Sequence, residues 1–193
     1  MTMKALLLAT ASWVLNAQAA APNPIGAQNA ALASKPPSIN HVLDLDGKGS
    51  YVELPPNIFT NLTEGTVELW GKWRSSVSNQ RFFSFGNFLN DMGLGQRYMS
   101  SDLHFFVSSH DVAHLALANF GKTLDQWFHF AAISGKSGMK LYCNGVLIAT
   151  NEFNGSFAAI AAGPNFLGRW VENQNLFGEV TLDAWLRKVV VCL

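Results

Sequence analysis

Charged residues are scarce in this chain. Of 193 residues, 13% are Asp, Glu, Lys or Arg, and the 13 basic and 13 acidic side chains leave a formal net charge of zero. That balance removes the electrostatic basis for nucleic-acid binding, which needs a basic surface to displace counterions from phosphate. Cysteine is nearly absent: Cys143 and Cys192 are the only two, so at most one disulfide can form. No apolar run reaches the roughly 20 residues that a membrane-spanning helix requires. No amphipathic helix of three turns is discernible after residue 40, which argues against α/β architectures. What the chain does contain is 49% hydrophobic residues, with 14 Phe, 6 Trp and 16 Gly. Such a composition can fill a sizeable core, and flat side chains with glycine turns suit pleated sheets.

The chain begins with one cation, Lys4, then an apolar run from Ala5 to Leu15, then Ala17-Gln18-Ala19. A charged start, a short apolar middle and a small-residue exit are the marks of a secretory signal, here residues 1–19. Residues 20–40 carry Pro22, Pro24, Pro36 and Pro37 without helical or alternating period and read as a flexible spacer. The folded unit is expected over 41–188, followed by an irregular tail, 189–193. After cleavage no transmembrane segment is left, so the product is expected to be secreted, periplasmic or held at the cell surface.

From His41 onward the pattern alternates with a period of two. In Thr66–Trp73 one face carries Val67, Leu69 and Trp73, and the other Glu68, Trp70 and Lys72. Arg81–Phe85, Leu103–Val107, Trp127–Ile133, Met139–Cys143 and Val146–Thr150 read the same way, with turn residues between them. Asn144-Gly145 tolerates positive φ at both turn positions and predicts a tight antiparallel hairpin. The expected fold is all-β, two antiparallel sheets packed as a sandwich.

Several segments in order carry a family resemblance. Leu43-Asp44-Leu45-Asp46-Gly47 through Tyr51–Pro55, Thr66–Trp70, Gln126–Ala132, Lys140–Ala149 and Phe177–Val180 resemble successive strands of the laminin-G-like, concanavalin A-like jelly-roll domain of secreted bacterial proteins. The chain departs from that pattern at Gly49-Ser50, where acidic residues are usual, and over Glu179–Trp185, where the closing strand is out of step. Val189–Leu193 would be an aggregation-prone edge if left unpaired. The chain is also readable as a piece of a longer modular protein.

The resemblance implies calcium at the sandwich rim, for which Asp46, Asn87, Asn90 and Asp91 are the candidate oxygen donors. It also raises glycoside hydrolysis, which needs two carboxylates flanking the scissile bond. The Glu-x-Asp-x-x-Glu strand motif is missing, and Glu179 with Asp183 is the nearest approach. No catalytic residue is assigned. His110-Asp111-Val112-Ala113-His114 has Asp where a zinc-protease helix has Glu, Gly135-Lys136-Ser137 lacks the leading glycine of a phosphate loop, and Asp44–Pro55 fails as an EF-hand at Lys48 and Pro55. A carbohydrate site would need an exposed ring for sugar C–H faces to stack on, and Trp70 and Trp170 are the candidates. Export permits one disulfide, Cys143 with Cys192. The expected function is non-catalytic recognition of a glycan or a cell-surface protein through rim loops. The alternatives are a structural or interaction module of a receptor-like protein, and a hydrolase.

Overall fold

Alternation yields strands where the sequence placed them. In a computed structural model, which describes residues 41–192 apart from Thr60, Met99, Asp111, Lys122, 161–162 and 172–181, β3 (Gly65–Trp73) buries every second residue. Val67, Leu69 and Trp73 point inward, while Glu68, Trp70 and Lys72 are half-buried on the outer face. The expected signal (1–19), the spacer (20–40) and Phe177–Val180 lie outside the described residues. β8 (Phe128–Ser134) and β9 (Met139–Cys143) follow the same rule. β10 (Val146–Asn151) joins β9 through Asn144 and Gly145, whose φ values of 49° and 80° are those of the expected two-residue turn. β1 (Leu43–Asp46) and β12 (Asp183–Cys192) complete a six-stranded antiparallel sheet of order β1-β12-β3-β8-β9-β10.

The second sheet has the order β2-β11-β4-β5-β6-β7. Its strands are β2 (Val52–Leu54), β4 (Arg81–Asn87), β5 (Asn90–Gln96), β6 (Asp102–Ser109), β7 (Val112–Asn119) and β11 (Asn165–Leu167). A single 3-10 turn, Phe157–Ala159, is the helical structure among the described residues. The two sheets enclose an aromatic core. Trp73 of the first sheet packs 4.5 Å from Phe82 of the second and 5.7 Å, edge-on, from Phe130. Phe83, Phe85 and Phe105 fill the space beyond and are fully buried. The fold is the all-β sandwich that the period of two implied.

The end of the chain differs from expectation. Residues 189–192 are not an irregular tail but the last part of β12. Lys188 adopts a left-handed conformation (φ 50°), the register shifts by one extra residue, and Val190, Val191 and Cys192 pair with Glu68, Val67 and Thr66. A bulge lets the strand absorb a residue and resume pairing. The valine run thus has a partner along β3.

The two cysteines are both free, Cys143 buried in β9 and Cys192 exposed at the end of β12. Three strand spacings separate β12 from β9, roughly 14 Å across the ladder, about twice the Cα separation a disulfide spans. Burial pushes the Cys143 thiol up to about 11, so the reactive thiolate is withheld there. A maleimide is therefore expected to label the native protein once, at Cys192, and a second time only after unfolding in urea. Equal labelling rates for both thiols in the native state would contradict this placement.

Candidate functional site

An antiparallel sheet of a sandwich ordinarily turns one face to the core and the other to water. The middle of the second sheet does not: β4, β5 and β6 are buried on both faces. Their inward residues, among them Phe83, Met92, Leu94 and Phe105, belong to the core. Their outward residues are Gly93, Gly95, His104, Phe106 and Ser108, and the last three floor a depression of about 300 Å³. Two glycines keep this floor low. A Cβ on Gly93 would meet the Phe106 ring at 2.8 Å, and one on Gly95 would meet the Gln80 carbonyl at 2.1 Å and Arg81 Cδ at 2.9 Å. The Phe106 ring and the Arg81 chain can lie across the strand because nothing rises beneath them. Phe88 and Leu89 from the β4–β5 turn, Arg97 and Tyr98 after β5, and Trp170 after β11 form the walls.

The depression is electrically lopsided. Arg81, 4% exposed, donates a hydrogen bond to the Gln96 carbonyl and lies 4.6 Å from the Trp170 ring and 5.4 Å from that of Phe106. Beside it His104 is equally buried, and burial together with the Arg81 and Arg97 guanidiniums pushes its imidazole down to about 3. The ring is therefore neutral at physiological pH and one of its nitrogens is an acceptor. Its Nδ1 has no hydrogen-bond partner among the described residues. At the other end stands Asp91, paired with Gly86, 4% exposed, and four residues along β5 from Gly95. At about 3.3 Å per residue the two ends lie roughly 13 Å apart. Asp91 is the one carboxylate among the described lining residues.

The residues singled out from sequence fall in different places. Trp170 stands in the wall of this depression. Trp70 lies on the outer face of the other sheet, within a ladder of rings and cations. There Arg187 is 4.8 Å from the Trp70 ring and 4.5 Å from that of Trp127, Lys72 is 4.1 Å from that of Trp185, and the His129 ring is 5.2 Å from Trp70. The Trp70 ring thus packs against groups of the protein itself. His129 also reaches Glu68, at 3.4 Å.

The four oxygen donors considered for calcium do not all lie in one place. Asp46 Oδ1 accepts from the Lys48 N–H and from Ser50 Oγ at 2.6 Å, which holds its carboxyl below the usual range, Ser50 contributing most. The serine that replaces a family acid thus shapes the β1–β2 turn as a donor. Asn87 Oδ1 accepts from the Phe88 N–H, and Asn90 Oδ1 from the His110 N–H. Gly47 bonds to Leu182, and Leu182 to Gly168 beside Phe82. Asp46 is thus linked to the Phe82 end of β4 only through Leu182 and Gly168, and Asn87 lies five residues beyond Phe82 along that strand, roughly 16 Å. Among the described residues no group of three or more His, Cys, Asp or Glu could hold a metal ion. Asn87, Asn90 and Asp91 share the β4–β5 hairpin, Asn87 opposite Asn90 and Asp91 opposite Gly86, and Asp46 stands apart from them. His114 stacks on Phe153 at 3.7 Å, and Asp111 lies outside the described residues.

Arg81, Arg97, Tyr98 and His104 escaped the sequence reading. Their signal was Gly93-Leu94-Gly95, where small residues occupy the outward positions of a strand, opposite His104 and Phe106 on the next.

No curated protein matches this chain. Solved structures share its fold at low identity. Domains LG4-5 of the mouse laminin alpha1 chain superpose with a TM-score of 0.60 at 15% identity, over 77% of this chain and 40% of that one. The chain thus spans about two fifths of that laminin fragment. The CBM40 of the Ruminococcus gnavus IT-sialidase, bound to alpha2,3 sialyllactose, gives 0.55 at 16% identity, over 78% and 93%. Domain 4 of AbnA, a GH43 extracellular arabinanase from Geobacillus stearothermophilus in complex with arabinotriose, gives 0.51 at 18%, over 72% and 66%. Among the described residues no helix is long and apolar enough to cross a membrane. Residues 46–188 match the Laminin_G_3 family, and the chain belongs to it, within the Concanavalin A-like lectin/glucanases superfamily.

Proposed function

We propose that this protein is a non-catalytic, extracytoplasmic binding domain that holds a carbohydrate on the outer face of its second sheet. The observation that carries the reading is the depression itself, where buried Arg81, His104 and Asp91 share a cavity with Trp170 and Tyr98. A sugar offers an apolar C–H face and a rim of hydroxyls, so a site for one combines rings with fixed polar groups. Tyr98, 58% exposed, is the ring most open to a ligand. The sheet supplies the floor and the loops supply the walls, so the proposed contacts are not confined to rim loops. Relatives in fold bound to sialyllactose and arabinotriose lend support to a glycan as the ligand.

The test is a glycan array probed with residues 20–193, followed by titration calorimetry on the best hit. Tyr98→Ala and Trp170→Ala are each expected to weaken binding about 10-fold, which corresponds to roughly 1.4 kcal/mol of lost ring contact. A folded protein that binds no glycan, or binds one equally well after both substitutions, overturns the assignment. Protein ligands captured without any glycan would favour the interaction-module alternative.

A further inference from the structure

The depression has a cation at one end that no carboxylate among the described residues pairs with. Arg97 lines it, lies 5.6 Å from the Tyr98 ring, and forms no ion pair with any acidic residue among those described. Arg81 is engaged by the Gln96 carbonyl and clamped between rings. His104, 4% exposed, presents Nδ1 without a partner. A buried acceptor left without a donor is costly, and an O–H from a ligand would satisfy it. Asp91 stands at the far end of the depression.

We propose that the ligand is an acidic sugar, its carboxylate held by Arg97 and a neighbouring hydroxyl donating to His104 Nδ1. The inference rests on the glycan-binding reading above. A guanidinium matches a planar carboxylate with two parallel N–H donors. A sulfate or phosphate would want donors around three oxygens, and the adjacent imidazole nitrogen is an acceptor instead.

Calorimetry with residues 20–193 against oligogalacturonates and glucuronate-bearing oligosaccharides, each beside its methyl ester, tests this. The free acids are expected to bind at least 10-fold more tightly than the esters, with the preference shrinking as salt is raised. Arg97→Gln, on an exposed loop, should abolish the preference while leaving weak binding of the ester, and Arg97→Lys should restore part of it. Equal affinity for acid and ester in the wild type overturns this inference and leaves the glycan reading standing. So does a preference that survives Arg97→Gln. Binding of no glycan of either kind overturns both.

Discussion

Replacing Trp73 by alanine is expected to destabilise the fold by about 3–5 kcal/mol, the range for truncating a large aromatic in a packed core. Trp73 is 1% exposed and meets Phe82, Phe120, Phe128 and Phe130, from both sheets, within 6.3 Å. No small set of neighbours can collapse into the space it leaves. Urea unfolding followed by far-ultraviolet circular dichroism measures the loss. A companion substitution, Trp70→Ala, separates burial from ring size. Trp70 is half-buried on the outer face with Arg187 and His129, and one such cation contact at an exposed site is worth about 0.5–1 kcal/mol. If both variants lose the same stability, the assignment of faces along β3 is wrong.

Acid is expected to destabilise the protein through His104. Its folded-state value, about 3, lies below the ordinary 6.5, so the unfolded chain takes up the proton first as pH falls. The stability this ring contributes is complete above pH 6.5, declines as pH drops towards 3, and changes no further below that. Linkage over such a shift amounts to about 3 kcal/mol between pH 7 and pH 4. Carboxylates add their own acid sensitivity, so the comparison that isolates the ring is wild type against His104→Gln. The variant should lose about 3 kcal/mol less over that interval. Identical pH dependence in the two proteins would show that His104 remains protonatable in the folded state.

Much of the architecture was legible one strand at a time. Alternation in Thr66–Trp73, Trp127–Ile133 and Met139–Cys143 needs only neighbouring side chains, since successive residues of a strand face opposite ways. Asn144-Gly145 announced its hairpin because few other dipeptides accept positive φ twice. β5 escaped notice for the converse reason. Asn90–Gln96 has Gly93 and Gly95 where polar outward residues would have completed an alternating pattern, and glycine reads as a turn until a neighbouring strand gives it a purpose. The tail was misread because valines have no stated partner until a bulge at Lys188 brings them back onto β3.

The candidate site was less visible, and the residues show why. Trp170 drew attention as a tryptophan near a polar loop, but nothing near it in sequence indicates Arg81, Arg97 or His104. Arg81 and His104 meet only because β4, β5 and β6 are hydrogen-bonded neighbours, with Gly95 between them in register. Trp70 was equally suitable on sequence, and only pairing sets Arg187 beside it. Strand periodicity and turn chemistry depend on covalent neighbours, so residue order alone was enough to establish two layered sheets and an aromatic interior. A binding depression depends on which distant strands become adjacent, and on the long-range charge and burial that their pairing creates, so it came into being only when the sheets assembled.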